Sequence, residues 1–171
     1  MAFFPCIYFC ATSQMSMSFG ATNYRCMTDR ETAEAIMQRS SDRELFYRRL
    51  IKMFGVAKDM GVRMIVENPW NEQTYLKANF TPPTIVDNNR LLRGDYYKKP
   101  TAYWFINCEP THGRTIQKDK EQKFFMTSKS SPVAGICSEE RSMISPDYAR
   151  NFICDFILGK PQNNTQLNLF D

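Results

Sequence analysis

The sequence predicts an α/β fold, and three observations lead there. A short apolar run at the front, residues 2–9, reads as a buried strand running into a reactive turn at Pro5-Cys6. A helical stretch opened by a capping box follows it. A compact run at 62–66, with Ile and Val at its centre, has the pattern of a strand buried on both faces. Strand, helix, strand is a parallel crossover, because parallel neighbours need a long connection between them.

After the first strand, residues 11–21 are small, polar and Met-rich, with Gly20 as a hinge candidate, and read as a loop. Thr28-Asp29-Arg30-Glu31 is a capping box that opens a helix to about Arg39. Ser41-Asp42-Arg43-Glu44 repeats the device. The second helix it predicts carries Phe46, Leu50, Met53, Phe54 and Ala57 on one face and ends near Gly61. A brief helix is expected over 71–79, closed off by Pro82-Pro83. Strands at 84–87 and 102–107 flank a stretch rich in Tyr and Lys. Residues 109–135 are the least periodic. At Ser145-Pro146 an N-cap and a favoured first-turn proline open a last helix. Its apolar stripe is Ala149, Phe152, Ile153, Phe156 and Ile157, and Gly159 is its stop. Residues 1–159 read as one domain and 160–171 as a flexible, mostly polar tail.

Composition bounds the function less than it bounds the class. The 171 residues, 43% hydrophobic and 13% aromatic, suit one globular domain with a real core. The net charge of +4 permits attraction to a polyanion without demanding it. No signal peptide or membrane-length run is present, and six cysteines without regular spacing fit free thiols in a reduced, cytoplasmic setting. Cys108 and His112 fall short of a metal site, since no second ligand pair stands nearby.

Two residues stand out for chemistry. Cys6 follows Phe4-Pro5 at the end of the first run, and Glu67 opens Glu67-Asn68-Pro69 at the end of the second. A thiolate is a strong nucleophile of mild basicity, suited to adding to carbon 6 of a pyrimidine. A carboxyl group beside it can bind the ring nitrogen and exocyclic amine, a contribution of about 10²–10⁴-fold. In open α/β sheets functional groups gather at the carboxyl ends of strands, where both of these fall. Taken singly, Cys6 could be a buried small residue and Glu67-Asn68-Pro69 a strand-ending turn.

This order resembles the DNA cytosine-5 methyltransferases, above all the phage-type members with Glu-Asn-Pro, over roughly residues 3–158. Arg93-Gly94-Asp95-Tyr96-Tyr97-Lys98-Lys99-Pro100-Thr101, ahead of Tyr103-Trp104-Phe105-Ile106-Asn107, is similar to their Tyr-Gly…Lys-Pro-Thr…Trp-Thr-Asn segment. The resemblance implies a partial Rossmann-like methyltransferase sheet with flanking helices. It implies Cys6 and Glu67 as catalytic residues. Pro5, Asn68, Pro69, Lys99 and Thr101 would be substrate-binding, with DNA as substrate and S-adenosylmethionine as methyl donor. Lys99 and Thr101 stand where the wider family has arginines, and a lysine does not copy a guanidinium fork. The family's Phe-x-Gly-x-Gly cofactor loop is absent ahead of Cys6. That fits either a truncated reading frame or a separate amino-terminal half.

The last residues add a second resemblance. Gln166-Leu167-x-Leu169-Phe170 is similar to the pentapeptide by which bacterial DNA-processing proteins dock on the replication sliding clamp. Leu169 and Phe170 would fill an apolar pocket while Gln166 satisfies backbone groups at its rim. The rival to an enzyme is therefore a non-catalytic DNA- or clamp-associated protein derived from one.

Overall fold

The first strand is shorter than the apolar run that suggests it. In the computed structural model, which describes residues 2–3, 6–113, 115–123 and 143–159 with side chains from residue 7 onward, β1 is Ala2–Phe3. The chain is helical again over α1, Cys6–Phe9. Pro5 lies outside the described residues, but a proline has no N–H for a ladder and suits the start of a helix. Cys6 thus opens a helix instead of ending a strand. The expected loop at 11–21 is also partly helical: α2 covers Ala11–Met15, and a 3₁₀ turn covers Thr22–Tyr24.

The described residues form two compact units. The first runs to Asp87 and includes Pro100–Glu109; the second is Asn88–Lys99 with the residues from Pro110 on. In the first, one helix replaces the two expected. α3 spans Asp29–Asp59, and Thr28 caps it with the reciprocal Glu31 bonds of a capping box. Ser41-Asp42-Arg43-Glu44 caps nothing, because no Gly or Pro interrupts the helix there. Asp42 accepts from Gln38 and Tyr8 instead, and Glu44 pairs with Arg48. Gly61, at φ 66°, is the left-handed residue beyond the helix end. Asn107, also left-handed at φ 53°, donates through Nδ2 to the carbonyls of Ala57 (2.6 Å) and Val62 (3.0 Å), tying the helix end to the sheet.

β2 is Met64–Pro69, so Glu67-Asn68-Pro69 lies within the strand and not beyond it. α4, Tyr75–Asn79, leads to β3, Ile85–Asp87, and later β4, Thr101–Ile106. The sheet order is β1-β2-β4-β3. β1 and β2 are parallel, as the strand-helix-strand pattern predicts, while β4 runs antiparallel to both β2 and β3. The result is a small mixed α/β sheet. Val66, Trp104, Ala102 and Ile106 on one face pack with Leu50 and Ala57 of α3, with Phe9 and with Leu76. Phe46, Met53 and Phe54 join this core, as their helical spacing predicts.

The second unit is built around α5, Pro146–Ile153, which widens into a π turn over Cys154–Leu158 and stops at left-handed Gly159. Ser145 is its N-cap residue and Pro146 opens the first turn, as the sequence predicts, but the Ser145 hydroxyl makes no cap bond and donates to the Gly94 carbonyl at 2.8 Å instead. The buried stripe is Tyr148, Asn151, Phe152, Asp155 and Phe156, while Ile153 and Ile157 are exposed. Two polar residues turn the helix, because their partners lie on that side. Asn151 donates to the Arg93 carbonyl and to Gln117 Oε1. Asp155 accepts from Thr115 N (2.9 Å), Thr115 Oγ1 (2.6 Å) and Arg93. Arg90 and Asp95 form a buried ion pair, with the Arg90 guanidinium over the Tyr148 ring. Among the described residues, no helix is long and apolar enough to cross a membrane.

Candidate functional site

β1 delivers the chain to Cys6, and β2 carries Glu67 beside it. The parallel register pairs Ala2 with Val66 and Phe3 with Glu67, so Cys6 begins its helix three residues beyond the strand position opposite the carboxylate. Pro5 and the side chain of Cys6 lie outside the described residues.

Side chains alternate across a strand, and directly opposed residues of an antiparallel pair share a face. Glu67 stands opposite Tyr103, which stands opposite Ile85. In the next row Pro69 faces Thr101, and Thr101 faces Asp87. Glu67, Asp87, Thr101 and Tyr103 are all buried. One face of the sheet therefore gathers two carboxylates, a phenol and a hydroxyl. Thr101 shares the face of Glu67, whereas Lys99 belongs to the second unit and is half-buried. Tyr103 and Asp87 are additions that the sequence did not single out. Period-two alternation along β4 would have paired Tyr103 with Thr101, but only the register brings either to Glu67.

Asn68 projects to the other face, with Val66 and Ala102, into the core beneath α3. It is fully buried, and among the described residues neither its amide nitrogen nor its amide oxygen has a hydrogen-bond partner. Such an orphaned group costs about 1–3 kcal/mol and is rare in native proteins.

The segment beyond Cys6 is held on α3. The Tyr8 ring stacks on Phe46 at 4.8 Å, Phe9 is fully buried, and Arg43 Nη1 donates to Gln14 Oε1 at 3.2 Å. Farther along, Thr12, Met15, Ser16, Gly20 and Asn23 border an open depression of about 420 Å³, with Met15 and Phe19 largely exposed nearby. Beyond Glu67, Asn71 Oδ1 accepts from Gln73 N and Thr74 Oγ1, and Thr74 Oγ1 in turn accepts from Asn71 N; this turn launches α4.

No strand of the sheet opens into a glycine-rich turn of the kind that cradles a nucleotide-like cofactor. β1 leads to Cys6, β2 to Trp70, β3 to Asn88 and β4 to Asn107. The described residues thus lack the glycine-rich turn through which DNA cytosine-5 methyltransferases hold S-adenosylmethionine. Among them, no group of three or more His, Cys, Asp and Glu side chains could hold a metal ion. Gln166, Leu167, Leu169 and Phe170 lie outside the described residues. Compared with known proteins, the chain matches no family model, no curated protein and no solved structure.

Proposed function

We propose that the chain is the catalytic-region half of a DNA cytosine-5 methyltransferase, with a partial Rossmann-like sheet and with Cys6 as nucleophile and Glu67 as the carboxyl group that binds the base. The parallel pairing of β1 with β2 carries this reading, because it sets the exit toward Cys6 beside the strand bearing Glu67. In the reaction the Cys6 thiolate adds to carbon 6 of a flipped cytosine, and the electron pair it displaces makes carbon 5 nucleophilic. Glu67 hydrogen-bonds ring nitrogen 3 and the exocyclic amine as charge develops there. Once carbon 5 has gained a methyl group, which S-adenosylmethionine would supply, loss of the carbon 5 proton expels the thiolate. The methyl donor belongs to a separate amino-terminal half.

Supplied with such a half, S-adenosylmethionine and DNA carrying 5-fluorocytosine, the chain should form a lasting covalent adduct, since fluorine blocks the final elimination. Cys6→Ser should abolish it. A methylating complex that still forms the adduct after Cys6→Ser would exclude Cys6 as the nucleophile. We also propose that Gln166-Leu167-x-Leu169-Phe170 docks on a bacterial sliding clamp with roughly micromolar affinity. Clamp binding that survives truncation after Pro161 would refute that role.

A further inference from the structure

The segment that follows Cys6 and the segment that follows Glu67 touch directly and are both contacted by one side chain of α3. Arg43 donates from Nη1 to Gln14 Oε1 of α2 at 3.2 Å. Its guanidinium carbon lies 4.7 Å from the ring centroid of Tyr75, the first residue of α4. Phe9 of α1 stacks on that same ring, centroids 6.0 Å apart and planes 21° from parallel. No carboxylate lies within ion-pair reach of Arg43 among the described residues. Its partners are a neutral amide and an aromatic ring. A planar guanidinium can lay its face on a ring while an N–H in its plane reaches an acceptor, and a lysine ammonium cannot do both.

We propose that Arg43 is a positioning residue that fixes the Cys6-bearing segment relative to the segment following Glu67. Its bridging of the two segments rests on geometry alone; its consequence for chemistry rests on the methyltransferase reading. Catalysis is sensitive to such placement, since an error of about 1 Å can cost on the order of 10²-fold.

Two native thiols test the bridge in the full chain. Cys10, half-buried, precedes α2, and its carbonyl accepts from Gln14 N. Cys108, also half-buried, lies just past β4 and acts as the control. Alkylation by iodoacetamide, read at each cysteine by mass spectrometry, should speed up about 10-fold at Cys10 in Arg43→Met. That is the size expected for losing one cation–π contact and one hydrogen bond. Tyr75→Leu, on the other segment, should do the same, and the double variant should react no faster than Tyr75→Leu alone. Arg43→Lys should recover less than half of the protection. An unchanged Cys10 rate, equal acceleration at Cys108, or multiplying effects in the double variant would each overturn the bridge.

These rates need neither DNA nor cofactor, so they decide the bridge even if the fluorocytosine adduct never forms and the methyltransferase reading falls. Where the adduct does form, Arg43→Met should slow it about 10- to 100-fold, with partial rescue by Arg43→Lys. Formation at the unaltered rate would limit Arg43 to the fold and refute its positioning role.

Discussion

Asp155 should be the most costly polar side chain to remove from the second unit. It is almost fully buried where α5 widens into its π turn, and it accepts from the backbone and hydroxyl of Thr115 and from Arg93. Its carbonyl accepts from Gly113 N at 2.9 Å and Thr111 Oγ1 at 2.7 Å. The fit is tight: a Cβ added at Gly113 would lie 2.5 Å from the Asp155 Cα. Asp155→Ala removes one acceptor from Arg93 and the acceptor of the Thr115 N–H, and breaking a buried pair costs up to about 3–5 kcal/mol. Expressed as local opening, that is roughly 10²–10⁴-fold faster amide exchange over residues 111–113, 115–117 and 146–158. Hydrogen exchange read by mass spectrometry measures it. Asp155→Asn, which keeps the shape and one acceptor, should fall between wild type and Asp155→Ala. A change below about 1 kcal/mol in Asp155→Ala would show that the carboxylate does not hold the segment, contrary to the estimate for a buried pair.

Two further outcomes follow from particular groups. Asp147 receives hydrogen bonds from Lys120 (2.7 Å), Arg150 (2.8 Å) and Gln117, and the Lys120 bond above all holds its carboxyl below the ordinary 3.8. Lys120 is raised above its ordinary 10.5 by the same bond. A depressed carboxylate stabilises the fold above its unfolded value, so this contribution should be lost as pH falls from about 3.8 through the folded value. The lysine's share should be lost only as pH rises above about 10.5. Asp147→Asn should remove the acid-side component from melting curves taken across that range, and an unchanged acid profile would contradict the assignment. Asn68→Leu deletes two orphaned polar atoms from an apolar core, and should leave stability equal or raise it by up to about 1–3 kcal/mol in denaturant titration. A clear loss of stability would mean that the amide has a structural partner after all.

What the sequence revealed was whatever rests on neighbours along the chain. The Thr28–Glu31 box, left-handed Gly61 and Gly159, and the crossover between two apolar runs all rest on local rules, and all stand in the structure. Ser41-Asp42-Arg43-Glu44 misled because its residues serve equally well inside a helix. The choice fell to the burial of Phe46, Leu50 and Ala57 against the sheet, which lets the helix run on. The last helix misled in another way. Reading only its apolar residues puts Ile153 and Ile157 inward, whereas counting Asn151 and Asp155 as inward gives the observed face. Those two are polar, and nothing local says that Arg93, Thr115 and Gln117 wait for them.

The two sides of β2 bear on function together. Val66, Glu67 and Asn68 are consecutive and all buried, so the strand is covered on both faces, the setting in which long apolar runs are usual. Two of the three are nevertheless polar, and they point to opposite sides. Glu67 faces Tyr103 in a row flanked by Thr101 and Asp87, a surface on which a carboxylate has polar company. Asn68 faces the apolar core with both amide atoms unmatched among the described residues. A sequence shaped for stability alone would place Val or Ile at both positions. Polar residues that break a local packing rule are places to test for function. They occur on the strand that pairs with the one leading to Cys6, and they occur next to each other. Glu67-Asn68-Pro69 does end the strand, since Pro69 is the last residue of β2, so a role for Glu67 beyond the fold rests on its polar row and not on where the motif lies.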